Sequence, residues 1–423
     1  MKNRQKVQSL MALGGLLLGM QAAYSQQTAV IITNPSSVER KDEIIVLKRA
    51  DAEKKLGAVK YISATCNNQN VVVQHDDLNG DGRWDEAVFL VSLKPHEKAA
   101  VKISAASDND LSSAVQKAHV RLRKKNPDES FGPYIKKETM PLRNPATDFS
   151  KQKLPMYLTE GPAWENDKIA FRLYFDVRNG KDIYAKRTPR MMMDTVGVNT
   201  KVSYHNLADW GMDVLHAGKS LGSGALALLV PKEGKDTLIR LGGEDITHTV
   251  YEQMADGPVR AMFKITYDWQ VMGKPVQIIE QTSIWGGQYF YEDKVTVAGA
   301  PLNTKLVAGI ASFYENVFQS FYKGNCGVLL SHGKQSENKD YLGMAVVIPA
   351  NNTSHFGSTP NQGSEILDTY LAAQYIKKDQ PCRFRFYGAW ELTDSRFASI
   401  NYFKNMVVDE TVKMDKPVMV KWQ

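Results

Sequence analysis

The chain has 423 residues, 43% hydrophobic and 23% charged, with a formal net charge of +7. That balance excludes a disordered or collagen-like polymer and supplies enough apolar residues for a sizeable core. So small a positive excess does not point to nucleic acid, although a local basic patch could still attract an acidic sugar.

The chain opens with Lys2, Arg4 and Lys6, an apolar run from Leu10 to Met20, and small residues at Ala23 and Ser25. This is the layout of a secretory signal over residues 1–25, cleaved after Ser25. The apolar run is shorter than the roughly 20 residues a spanning helix needs, so no membrane span is expected once the signal is removed. No cysteine stands near the cleavage site to take a lipid. The expected product is a soluble periplasmic or secreted protein, with its formal charge lowered to +4 by the loss of three basic residues.

Residues 26–125 read as a smaller N-terminal β domain. Its most conspicuous stretch, DLNGDGRWDEAVFL, crowds acidic residues and glycines ahead of a strand-like run. Asp77, Asn79, Asp81, Gly82 and Asp85 match an EF-hand loop, but Val88 stands where the bidentate Glu belongs, and the flanks VVVQH and AVFLVSL are strand-like. The expectation is a hairpin turn in which Asn79-Gly80 and Asp81-Gly82 take positive φ and the acidic side chains bind nearby amides. The alternative is one structural calcium ion held by Asp77, Asn79, Asp81 and Asp85.

The polar, Pro-containing stretch KNPDESFGPYIKKETMPLRNPATDF marks a boundary, and residues 126–423 read as one large β-sandwich. IAFRLYFDV, ALALLV, VRAMFKITYDW, VQIIEQTSIW, YFYEDKVTVAG and FRFYGAWEL are rich in β-branched and aromatic residues and lie between turn signals such as ADGP and VMGKP. Helical periodicity is confined to residues 363–373 and 397–406. The class is therefore all-β. Of three cysteines, Cys326 and Cys382 are the expected pair if a disulfide forms, which leaves Cys66 over. His75, His96, His119 and His332 read as surface or loop residues.

Chemistry-bearing residues concentrate between Tyr157 and Gly224. Alternation in IAFRLYFDV puts Phe171, Leu173 and Phe175 on one face and Arg172, Tyr174 and Asp176 on the other. Glu165 and Asn166 precede this strand, and Lys186, Arg187 and Arg190 follow it. Arg grips a carboxylate with two parallel hydrogen bonds, which suits a sugar acid. In YHNLADWGMDVLHAG, His205, Asp209, Asp213 and His216 surround Trp210, whose indole offers a flat face to a pyranose ring. A histidine beside carboxylates suits general acid or base work, and His205 is the principal candidate. His248, after Glu244 and Asp245, is a further binding candidate.

The segments TNPSSVERKDEIIVL, QHDDLNGDGRWDEAVFLVSL, GPAWENDKIAFRLYFDVRNGKDIYAKRTP and YHNLADWGMDVLHAGKSLGSGALAL resemble the exported bacterial family catalogued as domain of unknown function 4861. The resemblance implies a galactose-mutarotase-like β-supersandwich and a role in degrading pectin and other uronate polysaccharides. It brings no assigned catalytic residues.

Four chemistries fit the residues. A uronate lyase would use His205 or Tyr174 as base and Arg172 with Asn166 or Lys186 to neutralise the substrate carboxylate. A hydrolase would pair Glu165 with Asp213 or Asp176. A mutarotase-type epimerase would set His205 against Glu165 or Glu244, and a glycan-binding protein would use the Trp and Arg residues alone. The expected partner in each case is an acidic oligosaccharide, contacted through Asn166, Lys186, Arg187, Trp210 and His248 around the catalytic set, and none of these chemistries requires a cofactor.

Overall fold

The computed structural model describes residues 27–109 and 111–423; the expected signal segment lies outside the described residues. The longest strands, Arg260–Val271 and Lys274–Trp285, pair in unbroken register from Arg260 opposite Trp285 to Val271 opposite Lys274. Their two-residue link works because Met272 (φ 50°) and Gly273 (φ 74°) both take positive φ, which matches the twist of the two strands.

Around this hairpin grows a nine-stranded sheet, flanked on one side by Ile246–Asp256 and Lys137–Thr139. On the other side follow Phe290–Ala298, Cys382–Trp390, Leu342–Pro349, Cys326–Gly333 and Val317–Lys323. Two five-stranded sheets cover one of its faces. The first runs Gly211–Asp213, Lys181–Lys186, Ile169–Leu173, Ala163–Asn166, Ala118–Arg121, and the second is built around Ser223–Lys232 and Lys305–Ala311. Phe171, Ile183, Leu228, Ile310, Phe263 and Ile278 come from all three sheets and share one core. The chain is thus an all-β protein dominated by a large sandwich.

The opposite face of the nine-stranded sheet is covered by helix Ile400–Asp415 through Phe403 and Val407, and by Ile44 and Leu90 of the N-terminal part. Val30, Ile45, Phe89 and Val101 form a separate N-terminal core, which includes helix Arg49–Leu56. Two pairings differ from the expected division at residue 125. Ala118–Arg121 pairs with Ala163–Asn166 in the sandwich, and the C-terminal strand Met419–Trp422 pairs with Gln27–Thr33.

The acidic stretch is a hairpin loop between the paired strands Gln74–Asp76 and Glu86–Leu93. Asp77 accepts from the amides of Gly80 (2.7 Å), Asp81 (3.2 Å) and Gly82 (2.8 Å), and Asp85 from that of Leu78 (2.8 Å). Asn79 accepts from the amide of Asp81, and Asp81 from that of Arg83. Gly80 and Gly82 adopt φ of 78° and 83°. All four side chains named for calcium accept hydrogen bonds from amides of the loop itself.

Three other expectations are corrected. Residues 363–373 are not helical: strand Thr369–Tyr375 occupies their end, because Leu371 and Ala373 alternate into a buried sheet face. Cys326 and Cys382 are free and buried, because strand Leu342–Pro349 lies between theirs. Two strand spacings, about 10 Å, exceed disulfide reach. His119 and His332 are buried strand residues rather than surface ones. No described helix is long and apolar enough to cross a membrane.

Candidate functional site

Strand alternation gives the first five-stranded sheet one apolar and one polar face. Phe171, Leu173, Ile183 and Ala185 point into the sandwich core. Register places Arg172 beside Asp182, and Tyr184 beside Asp213, on the opposite face, with Glu165 next to His119 further along. The chain from Arg187 to Trp210 covers this polar face through Met193, Val196, Tyr204 and Trp210. A row of charges that would be solvated on a lone strand is therefore buried.

Arg172 is its centre. The guanidinium pairs with Asp182 (2.9 Å), Glu160 (3.1 Å) and Asp213 (3.2 Å), and donates to the Tyr174 hydroxyl at 2.6 Å. It also lies 5.4 Å from the Tyr184 ring and 5.6 Å from that of Tyr204. Arg178 bridges Glu160 (2.6 Å) and Asp176 (2.5 Å) alongside. Four carboxyl groups thus face two cations. Complete burial, and then the charge of Asp182, pushes the Asp213 carboxyl well above the usual carboxylate range. Asp213 Oδ1 and Arg172 Nε have no hydrogen-bond partner.

His205 stands at the rim, its side chain 57% exposed and its Nδ1 3.5 Å from Asp213. Partial burial and the charge of Arg172 hold its proton affinity below the ordinary histidine value, so the imidazole is neutral at neutral pH. The resulting unit is an exposed neutral base backed by a buried, acid-rich cluster.

Other candidates have different duties. Glu165 is fully buried, pairs with Lys186 at 2.6 Å, and accepts the amides of Met192 and Met193 at 2.7 Å each. It anchors the covering chain and does not join Arg172. Burial lowers the proton affinity of Lys186 despite that partner. Asn166 is also buried: its amide donates to the carbonyls of Trp285 and Gln288, and its oxygen accepts from Lys168 and Ile169. Arg187 is exposed and contacts the Ala208 carbonyl. Trp210 stacks on Tyr184 at 6.3 Å, and His248 pairs with Asp268 on the nine-stranded sheet, away from the cluster. Among the expected residues, Arg172, Tyr174, Asp213 and His205 are brought together, with Trp210 beside them.

Glu160, Asp182, Tyr184 and Tyr204 were not anticipated. The alternation of KDIYAK carries the signal for Asp182 and Tyr184, which share a face with Lys186. Glu160 had no such signal, since it reaches Arg172 from a turn in which Thr159 (φ 49°) and Glu160 (φ 64°) are both left-handed. Arg121 holds that conformation by donating to the carbonyls of Leu158 and Gly161 and to the Thr159 hydroxyl.

A family model described as Domain of unknown function (DUF4861) matches residues 32–420, and the chain belongs to that family. None of the curated proteins matches it. Among solved structures it is similar to an alpha-mannosidase from Enterococcus faecalis V583, with 9% identity and a TM-score of 0.43 over 94% of this chain and 46% of that one. A glycosyl hydrolase family 38 protein from Enterococcus faecalis superposes with 9% identity and a TM-score of 0.44, over 94% and 47% of the two chains. The chain spans about half the length of these structures. So loose a superposition bears on neither activity nor substrate.

Proposed function

We propose that the protein is an exported carbohydrate-active enzyme that removes a proton from a sugar ring of a uronate-containing, pectin-like oligosaccharide, with His205 as the base. The observation that carries this reading is His205 itself: a neutral, accessible imidazole 3.5 Å from buried Asp213. When His205 takes the proton, the charges of Asp182, Glu337 and Glu160 offset part of the cost that burial and Arg172 impose on the imidazolium. In an elimination, the electrons of the broken C–H bond form a ring double bond, and the glycosidic C–O bond breaks as its oxygen takes up a proton. In an epimerisation, the same ring carbon is instead reprotonated from the opposite face.

Two-carboxylate hydrolysis is less well supported, because Glu165 is locked to Lys186 and the Met192 and Met193 amides. Arg172 is already matched by three carboxylates and is not free to grip a fourth. Arg187, Arg190 and Lys201, all exposed on the segment that carries His205, are better situated to meet an acidic substrate. Incubation with pectic and other acidic oligosaccharides tests the proposal. A new conjugated double bond in the ultraviolet marks a lyase, and changed ring stereochemistry without it an epimerase. Binding without any product sinks the enzyme reading and leaves a glycan-binding protein.

A further inference from the structure

A concave surface lies outside the cluster, at one end of strand Cys326–Gly333. A cavity of about 650 Å³ is lined by Tyr314, Glu315, Asn316, His332, Lys334 and Tyr341, among others. Its size suits one or two sugar rings. The Tyr341 ring is a fixed platform, stacked on His332 at 5.5 Å and 19°, while His332 Nε2 donates to the Phe397 carbonyl at 2.8 Å. An exposed lysine accompanies each tyrosine: Lys334 Nζ lies 5.7 Å from the Tyr341 ring and Lys339 Nζ 3.7 Å from that of Tyr314. Flat rings beside exposed ammonium groups are what a pyranose bearing a carboxylate requires.

The segment bordering this cavity leads to the base. The Glu337 amide donates to the Val214 carbonyl at 2.8 Å, one residue from Asp213. The Glu337 carboxylate accepts from Tyr314 at 2.5 Å and lies 3.6 Å from His216, and its charge acts on His205. The stretch from Lys334 to Tyr341 therefore borders the cavity and also holds Val214, next to Asp213.

We propose that this cavity is a binding subsite for a hexuronate residue, with Lys334 of its lining, and Lys339 from over the Tyr314 ring beside it, meeting the carboxylate and Tyr341 the ring. The substrate is then an acidic oligosaccharide of at least two residues, with one held here while another meets His205. This rests on the reading of His205 for the reacting residue, but binding in the cavity does not require turnover.

Calorimetric titration of His205→Ala protein with trigalacturonate and trimannuronate provides the test. Lys334→Ala with Lys339→Ala should weaken binding of one or both at least tenfold, and Tyr341→Ala should weaken it independently. Both lysines are exposed, so the folded state is retained, as circular dichroism would check. Unchanged affinity in the lysine variant, or no binding of either trimer to the parent, overturns the inference. Weakened binding as expected, together with no product from wild-type protein, leaves the subsite standing and removes the catalytic reading.

Discussion

At the scale of single residues, the account turns on how burial distributes protons. Burial and then the charge of Asp182 raise the proton affinity of Asp213, whereas partial burial and then Arg172 lower that of His205. The sign for activity follows: the base form of His205 is lost as pH falls through a value below the usual 6.5. The rate should therefore be level across neutrality and fall on the acid side, and a pH–rate profile that instead drops between pH 7 and about 8 would speak against a neutral imidazole base.

His119 behaves in the opposite sense. Burial disfavours its charge, but hydrogen bonds and charges from Asp194 and Asp256 outweigh burial and raise it from 6.5 to about 9. The folded value lies above the unfolded one, so this stabilisation is fully present below about 6.5 and is lost as pH rises through about 9. It is on the order of 3 kcal/mol. Denaturant midpoints of wild type should decline across that window more steeply than those of His119→Gln; parallel curves would refute the pairing.

At the scale of elements, the covering chain from Arg187 to Trp210 depends on a few buried anchors. Glu165→Gln keeps the shape of the side chain but leaves Lys186 buried without its counter-charge, at a cost of about 3–5 kcal/mol. Urea unfolding should show that loss, and limited proteolysis should cut the covering chain faster than in wild type. Gly211 offers a second handle, since at φ 133° an added Cβ would meet the Ala185 carbonyl oxygen at 1.9 Å. Gly211→Ala should displace the strand that carries Asp213 and lower both stability and activity.

The strands were legible in the sequence because their apolar alternation is local, and so was the hairpin character of the acidic loop, through its Asn-Gly and Asp-Gly pairs. The grouping of Arg172, Tyr174, Asp213 and His205 was legible as a neighbourhood in sequence. The role of Glu165 was not, because its partners are backbone amides of Met192 and Met193, which no side-chain pattern reveals. Nor was the competition for Arg172, since Glu160 arrives from a left-handed turn and Asp182 from the adjacent strand.

At the scale of the whole molecule, the N-terminal part is latched to the sandwich by polar contacts. Gln74 accepts the amides of Val259 and Arg260 at 2.9 and 3.0 Å, while Arg260 pairs with Asp76 at 2.5 Å and Glu86 at 2.8 Å. Met419–Trp422 ties the far end of the chain into the same N-terminal sheet. Wild-type protein should therefore unfold in one calorimetric transition. Arg260→Ala, which leaves Asp76 buried without its partner, should separate that transition into two or lower it by several degrees; an unchanged thermogram would mean that the latch does not couple the parts.

The proposed function rests on one exposed imidazole, that of His205, beside a buried acid-rich cluster. The most direct test is product formation from acidic oligosaccharides by wild-type protein and His205→Ala, followed together by ultraviolet absorbance and ring stereochemistry. The account predicts product with wild type and a loss of about 10²–10⁴-fold in rate without the imidazole. Equal rates from the two proteins would contradict it.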